Sequence, residues 1–422
     1  MDIVQRIQAL EKQGIRPGLG RIADLLRYLG HPEQTYPCVV VGGTNGKGST
    51  CAMIDSILRA AGYRTGLYTS PHLVRMNERI RTDGAMIGQG DLEDTARDLF
   101  RIIGREPSLS DTTYFEFLTA LALQYFSGQR IDMAVLEVGM GGRFDATNAV
   151  EPMVSTVTNI AMDHQSYLGS TPEEIAREKA GIVRAGRPFV ITDTGQGSRA
   201  VLEDECRLKG GTLYEIGRDF SVESDGTGMD FHGAGRTIER LRLSLTGRHQ
   251  FSNAGAAVQS VLLLGREGFV VSDEQVREGL LKTVWQGRFE TIRHHPDVVV
   301  DCAHNPAGVR TLVETIKDKY RDKVTVVFAA SRDKDWKTMI TVLTEVADTF
   351  VLTSYRGKRS TDPVSLGAFI GSVCRDGSCH THVAARSGDA LRFALGITPP
   401  GGVIVVTGSL FLVGELAAEA ER

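Results

Sequence analysis

No apolar run of 18 residues occurs in the 422-residue chain, so nothing in it reads as a membrane-spanning helix. It also lacks a basic excess. Forty-eight Lys and Arg stand against 52 Asp and Glu, and the net charge of −4 gives no support to a nucleic-acid-binding surface. There is no depletion of apolar residues, since 41% are hydrophobic and 24% charged, which argues against a disordered chain. No internal repeat or low-complexity segment is visible. Cysteines are few and scattered, six in all. The nearest pair, Cys374 and Cys379, is spaced C-x4-C, wider than the C-x2-C of a zinc knuckle, so reduced thiols in a cytoplasm are expected. The opening MDIVQRIQALEKQG is amphipathic and of mixed charge, without the apolar centre of a signal peptide. With those classes set aside, the length fits two or three domains of roughly 150 residues each.

Strands and helices alternate in what remains. Residues 37–41 are apolar, rich in β-branched side chains and followed by glycines, which predicts a buried strand. Met53, Ile54, Ile57 and Leu58 then recur at helical spacing, and Gly62 stops that helix. RTGLYTS, IDMAVLEVG and MVSTVTNI predict further strands, the last ending just before Asp163 and His164. FEFLTALALQYFSG predicts a helix. This alternation argues for a parallel α/β sheet, with ligands at the carboxyl ends of its strands. Residues 195–245 read as short antiparallel strands with tight turns. After VWQGRFETI the alternation restarts, which places a domain boundary near 285–292.

The chemistry-bearing residues fall at strand ends. VVVGGTNGKGST has the residue types of a phosphate-binding loop in an altered order. Gly48 follows Lys47, the hydroxyls come later at Ser49 and Thr50, and Val41 stands where the first loop glycine belongs. A glycine turn between a buried strand and a helix start aims backbone N–H groups at an anion, and Lys47 adds a point charge, so phosphate binding is expected. Glu137 ends an apolar strand, where it either holds Mg²⁺ or caps the strand end. His164 is either a loop histidine or a ligand. Ser70 has only its hydroxyl and its position to recommend it. Lys179, among Glu173, Glu174 and Glu178, reads as part of a solvated helix with ion pairs. Asp301, His304 and Asn305 sit at another strand-to-helix turn. Arg288, on the interdomain segment, either reaches a nucleotide or forms a hinge ion pair.

Together these residues resemble the folylpolyglutamate synthase and dihydrofolate synthase branch of the Mur ligase superfamily over nearly the whole chain. The resemblance is carried by GTNGKGST at 43–50, YTSPHL at 68–73, NERIR at 77–81 and TYFEFLTALAL at 113–123. It continues in LEVGMGGRFDATN at 136–148, DHQSYLG at 163–169, EIAREKAGI at 174–182, GRFE at 287–290, DCAHNP at 301–306 and GSLFLVGE at 408–415. It implies an α/β chain in two parts. Residues 1–286 would form a P-loop parallel-sheet ATPase domain with a small antiparallel β region, which binds ATP and the pterin substrate. Residues 287–422 would form a Rossmann-like domain that binds glutamate and completes the ATP site.

By the same resemblance Asn45, Gly46, Lys47, Gly48 and Ser49 cradle the triphosphate of ATP. Asn253, Arg288, Asp301 and His304 contact the nucleotide, and Ser70, Glu137 and His164 ligate magnesium. Lys179 is implied to be carbamylated and to serve a second Mg²⁺, and Lys47, His164 and Lys179 are the implied catalytic residues. Thr113, Phe115, Phe144 and Asp145 are placed at the pterin. The sequence departs from the family pattern at Gly42, Met162 and Cys302, and the last adds a side chain at a tight turn.

The implied reaction activates a carboxylate with ATP to an acyl phosphate, which the amine of L-glutamate attacks while the two domains close over it. Acceptors would be 7,8-dihydropteroate, reduced folates, or both, and the lack of a presequence agrees with a bifunctional enzyme. A cytoplasmic monomer is expected, since nothing in the sequence suggests an assembly surface. A cell-wall Mur ligase and a P-loop nucleotide switch are the competing readings.

Overall fold

The computed structural model describes residues 2–192, 194–374 and 377–420. Two units divide the chain: one runs to Ser244 and takes in Gln250–Thr283, and the other comprises Leu245–His249 and the chain from Val284 onward.

The first unit holds an eight-stranded sheet of β1 (Cys38–Gly42), β2 (Thr65–Tyr68), β3 (Ile80–Thr82), β4 (Ala85–Met86), β5 (Met133–Glu137), β6 (Val154–Val157), β7 (Pro188–Ile191) and β8 (Thr212–Glu215). In space the order is β4-β3-β2-β5-β1-β6-β7-β8. β2 to β8 through the centre pair in parallel, while β3 and β4 add an antiparallel edge. The central strands are buried on both faces, and CVVVG and MAVLE accordingly show apolar runs instead of alternation. β1 lies between β5 and β6, with Val41 in register with Glu137 and Gly42 with Val157. The ends of β2, β5, β1 and β6 therefore lie side by side along one edge.

The sheet is packed by helices such as Lys47–Ala60, Tyr114–Gln129 and Asp273–Lys282. At Gly279 the last of these meets the first so closely that a Cβ would strike the backbone of Ile57, and Ser56 Oγ donates to the Gly279 carbonyl at 2.7 Å. Leu25, Val40, Leu121, Phe126, Leu136 and Phe189 contribute to the core.

Two expectations need correction here. The strand predicted up to residue 160 ends at Val157, because Thr158 to Ala161 turn aside to bind the phosphate-type loop. The region 195–245 is also not uniformly antiparallel. Gln196–Leu208 is a helix that buries Leu202 and Cys206, and β8 joins the parallel sheet. The antiparallel part is limited to β9 (Phe220–Ser224), β10 (Met229–Gly233) and β11 (Arg236–Leu241).

The second unit has a six-stranded sheet of β12 (Glu290–Arg293), β13 (Asp297–Val300), β14 (Val324–Phe328), β15 (Ala347–Leu352), β16 (His380–Val383) and β17 (Val403–Thr407), ordered β12-β13-β17-β14-β15-β16. All neighbours are parallel except β12 with β13. Val299, Val326, Phe328, Phe350 and Val405 fill its core. Cys374 and Cys379 are joined by a disulfide, which corrects the expectation of six reduced thiols; Cys38, Cys51, Cys206 and Cys302 are free and buried. Among the described residues no helix is long and apolar enough to cross a membrane.

Candidate active site

The glycine-rich loop leaves β1 and enters the helix Lys47–Ala60. Gly43 and Gly46 both have positive φ, +136° and +83°, and both face close neighbours: a Cβ on Gly43 would overlap Thr158, and one on Gly46 the amide of Asn253. Only glycine satisfies both conditions. The loop is braced by the segment after β6. Thr158 Oγ1 donates to the Asn45 carbonyl at 2.6 Å, Asn45 N donates to Asn159 Oδ1 at 2.8 Å, and Thr44 N donates to the Asn159 carbonyl at 2.9 Å. Asn253, itself buried, donates to Gln250 Oε1 at 2.9 Å. The first turn of the helix contains Gly48, Ser49 and Thr50, all buried, and a helix start of this kind offers backbone N–H groups to an anion.

Two lysines meet on this loop. Lys47 Nζ donates to the carbonyls of Gly43 and Thr44, each at 3.1 Å, and Lys179 Nζ donates to the same Gly43 carbonyl at 2.8 Å. Lys179 is 3% exposed, at the end of the helix Pro172–Lys179. Burial first, and then the neighbouring charge of Lys47, lower its pKa to about 7; Asp163 and Asp145 oppose the shift. The solvated-helix reading of this lysine fails. Glu173 and Glu174 are exposed and Glu178 is half-buried, whereas Lys179 is buried on the face that carries Ile175 and Ala176.

Glu137 is buried at the end of β5, and its Oε2 accepts from the backbone N–H of Ser70 at 2.9 Å, which joins the ends of β5 and β2. Across β1 lies the Asp163–His164 turn. His164 has a left-handed backbone, its N–H donates to Asp163 Oδ1 at 2.8 Å, and its Nε2 lies 3.9 Å from Asp163 Oδ2. Asp163 is 8% exposed and close enough to influence Lys179. Its sequence signal is an acid directly before the histidine, six residues past the end of β6. Among the described residues no three His, Cys, Asp or Glu side chains gather into a ready cation cage. The oxygen donors at these strand ends come from separate turns.

The residues placed at the pterin fall into two kinds. Thr113 and Asp145 are engaged locally. Thr113 caps the helix Tyr114–Gln129 in a capping box with Glu116, which in turn binds Arg21 at 2.9 Å. Asp145 accepts from Met140 N at 2.9 Å, Thr147 N at 3.0 Å and Thr147 Oγ1 at 2.6 Å, while burial pushes its carboxyl pKa up. Phe115 and Phe144 offer ring surface. Phe115 packs so closely on Gly139 that no Cβ would fit there, and its ring lies 6.1 Å from that of Tyr68, whereas Phe144 is 50% exposed.

In the second unit Arg288, Asp301 and His304 are brought together around the turn after β13. Asp301 Oδ2 accepts from Phe289 N and Oδ1 from Ala303 N, both at 2.9 Å. Burial raises its pKa, and the Arg288 guanidinium beside it pulls the other way. His304 Nδ1 lies 3.0 Å from the Cys302 carbonyl. Cys302 fits the turn: its N–H donates to the Gly287 carbonyl at 3.0 Å and its thiol is buried, with the pKa pushed up to about 12. Asn305 caps the helix Pro306–Lys319 by accepting from Gly308 N at 2.8 Å.

A braced phosphate loop, a buried acid at a neighbouring strand end and a second α/β unit with its own acid-bearing turn define a Mur-type ligase. The Mur ligase middle domain matches residues 41–261, and the Mur ligase glutamate ligase domain matches residues 287–410. The chain belongs to the dihydrofolate synthase/folylpolyglutamate synthase family. It is 35% identical over 423 residues to the dihydrofolate synthase/folylpolyglutamate synthase of Bacillus subtilis, covering 96% of this chain and 95% of that one. Its fold is similar to that of E. coli FolC in complex with DHPP and ADP, with a TM-score of 0.90 and 30% identity over 100% of this chain and 98% of that one. It is likewise similar to the Mycobacterium tuberculosis folylpolyglutamate synthase complexed with ADP, at a TM-score of 0.92 and 32% identity over 100% and 98%. A bifunctional folylpolyglutamate synthase/dihydrofolate synthase with Mn, AMPPNP and L-glutamate bound is similar at 0.88 and 30%, over 100% and 98%.

Proposed function

We propose that this chain joins L-glutamate to 7,8-dihydropteroate, forming dihydrofolate, and to reduced folates, forming folylpolyglutamates, with ATP, as a cytoplasmic monomer. The observation that carries the reading is the alignment of four strand ends: Ser70 tied to Glu137, the loop with Lys47, and the Asp163–His164 turn, with the desolvated Lys179 on the loop carbonyl.

Asn45, Gly46, Lys47, Gly48 and Ser49 receive the triphosphate, and Asn253, Arg288, Asp301 and His304 are the further nucleotide contacts. The donors at the strand ends suit hard divalent cations: a carboxylate from Glu137, a hydroxyl from Ser70, an imidazole from His164 and, once modified, an anion from Lys179. When bound, two Mg²⁺ offset the charge that gathers on the transferred phosphoryl group.

Lys179 suits that modification because a pKa near 7 leaves much of it as free amine at neutral pH. The amine nitrogen attacks the carbon of CO₂, a C–N bond forms and one proton leaves, so a buried cation becomes an anion. That exchange also removes the repulsion between two ammonium groups on one carbonyl.

In the reaction an oxygen of the acceptor carboxylate attacks the γ-phosphorus, and the bond from phosphorus to the ADP oxygen breaks. Lys47, released from the loop carbonyls, follows the charge onto the phosphoryl oxygens. The amine of glutamate then adds to the acyl carbon, inorganic phosphate leaves from the tetrahedral intermediate, and the amine proton is lost. The ring faces of Phe115 and Phe144 are the pterin contacts, and Thr113 and Asp145 hold the turns that present them.

The test is ATP-dependent phosphate release with Mg²⁺ and L-glutamate, comparing 7,8-dihydropteroate with a reduced folate monoglutamate and identifying the products by mass spectrometry. Glutamylated product from both acceptors is expected. Product from the folate alone would reduce the proposal to folylpolyglutamate synthesis, the activity named for the Lacticaseibacillus casei relative at 34% identity. Product from neither would overturn it.

A further inference from the structure

We propose that Arg79 binds the carboxylate of the acceptor and thereby sets which end of the acceptor is presented for activation, an inference that rests on the ligase reading above. Arg79 is 7% exposed, yet among the described residues it forms no ion pair. Its one side-chain hydrogen bond runs from Nε to Nδ1 of His72 at 2.8 Å, which leaves both Nη groups without an acceptor from the chain. Neither Nη is among the fully buried polar atoms left without a partner, so both reach solvent and are open to an anion that enters the site.

The nearest acid in sequence is committed elsewhere. Glu78 accepts from the backbone N–H groups of Leu73, Val74 and Arg75 at 2.6 to 2.8 Å. The surroundings of Arg79 hold it still without neutralising it. Its carbonyl accepts from Thr69 N at 2.9 Å, and its guanidinium lies 5.6 Å from the ring centroid of Tyr114. It also acts electrostatically on the buried Tyr68, whose ring faces Phe115. Arg79 thus lies between the β2 end that carries Ser70 and the helix start that carries Phe115. An acceptor whose pterin rests on the aromatic rings and whose acid is to be phosphorylated needs a cation in that interval. A planar guanidinium suits a carboxylate by paired N–H donors.

The experiment measures binding of 7,8-dihydropteroate and of the same molecule lacking its benzoate carboxyl, to wild type, Arg79→Gln and Arg79→Lys, with ATP affinity and melting temperature alongside. Wild type is expected to prefer the acid, and Arg79→Gln to lose about 10- to 100-fold for the acid alone, the size of a hydrogen-bonded charge contact. Arg79→Lys should restore part of the preference. Equal loss for both molecules, or no loss for either, would overturn the assignment. If Arg79→Gln does not fold, the ratio of the two affinities in Arg79→Lys decides in the same way. Wild type that binds neither molecule would remove the ligase reading itself, a failure distinct from an unchanged ratio in the variants.

Discussion

In the first unit the chain leaves β1 at Gly42 into a turn whose Gly43 carbonyl is covered by two ammonium groups and whose Thr44 and Asn45 amides are held by Asn159. In the second unit it leaves β13 at Val300 into a turn built around an acid, with Asp301 accepting two backbone N–H groups beside Arg288. Both are strand-to-helix turns at the carboxyl end of a parallel sheet, and a helix start follows each. They differ in sign and in bracing. The first is cationic and is locked by side chains from the segment after β6 and from Asn253. The second is held mainly by its own acid. The fold supplies the place, and the side chains decide the charge and the bracing of each turn.

The largest expected effect that tests this contrast is at Lys47. Lys47→Ala should lower phosphate release by about 10²- to 10³-fold, as for loss of one preorganised charge contact, with melting temperature little changed. An activity within a few-fold of wild type would mean that the loop is not the phosphate site. Next, Gly46→Ala should cost about 1 to 3 kcal/mol in denaturant unfolding, because a Cβ there is both at positive φ and in contact with Asn253. Asp301→Asn should cost about 1 to 2 kcal/mol, since the amide keeps one of the two backbone acceptor bonds and gives up charge near Arg288. Cys302→Gly should stay within about 1 kcal/mol, because the turn already accepts the thiol. If that change destabilised more than Gly46→Ala, the ranking of the two turns would be reversed.

Lys179 gives a pH test. Its folded pKa of about 7 lies below the 10.5 of an unfolded lysine, so between those values the unfolded state binds more protons and this group makes stability rise with pH. Lys179→Met should flatten that part of the profile. With ¹³C-labelled bicarbonate, a carbamate signal should grow as pH rises through 7 and be absent from Lys179→Met. A signal of equal size in both proteins would exclude this lysine.

Much of this was legible in the sequence because apolar runs and glycine turns are local signals. GTNGKGST and AVLEVG mark their strand ends without help from the rest of the chain. Lys179 was not legible, since three glutamates within six residues look like a solvated face. Only the tertiary placement of one inward side chain, 136 residues from Gly43, makes it a buried base. The β6 end differs for a related reason: Thr158 and Ile160 continue the β-branched pattern, but Thr158 and Asn159 spend their polar groups on the loop. Arg79 escaped notice inside NERIR, where a charged pentapeptide reads as surface. Its significance comes from burial and from what does not pair with it.

The central claim is that ATP activates the acceptor by phosphorylating its carboxylate at the cationic turn. The most direct measurement uses an acceptor labelled with oxygen-18 in that carboxylate, followed through one round of ligation with ATP and glutamate. The account predicts that the label appears in the released inorganic phosphate and that the nucleotide product is ADP. Unlabelled phosphate, or release of AMP and pyrophosphate, would contradict it.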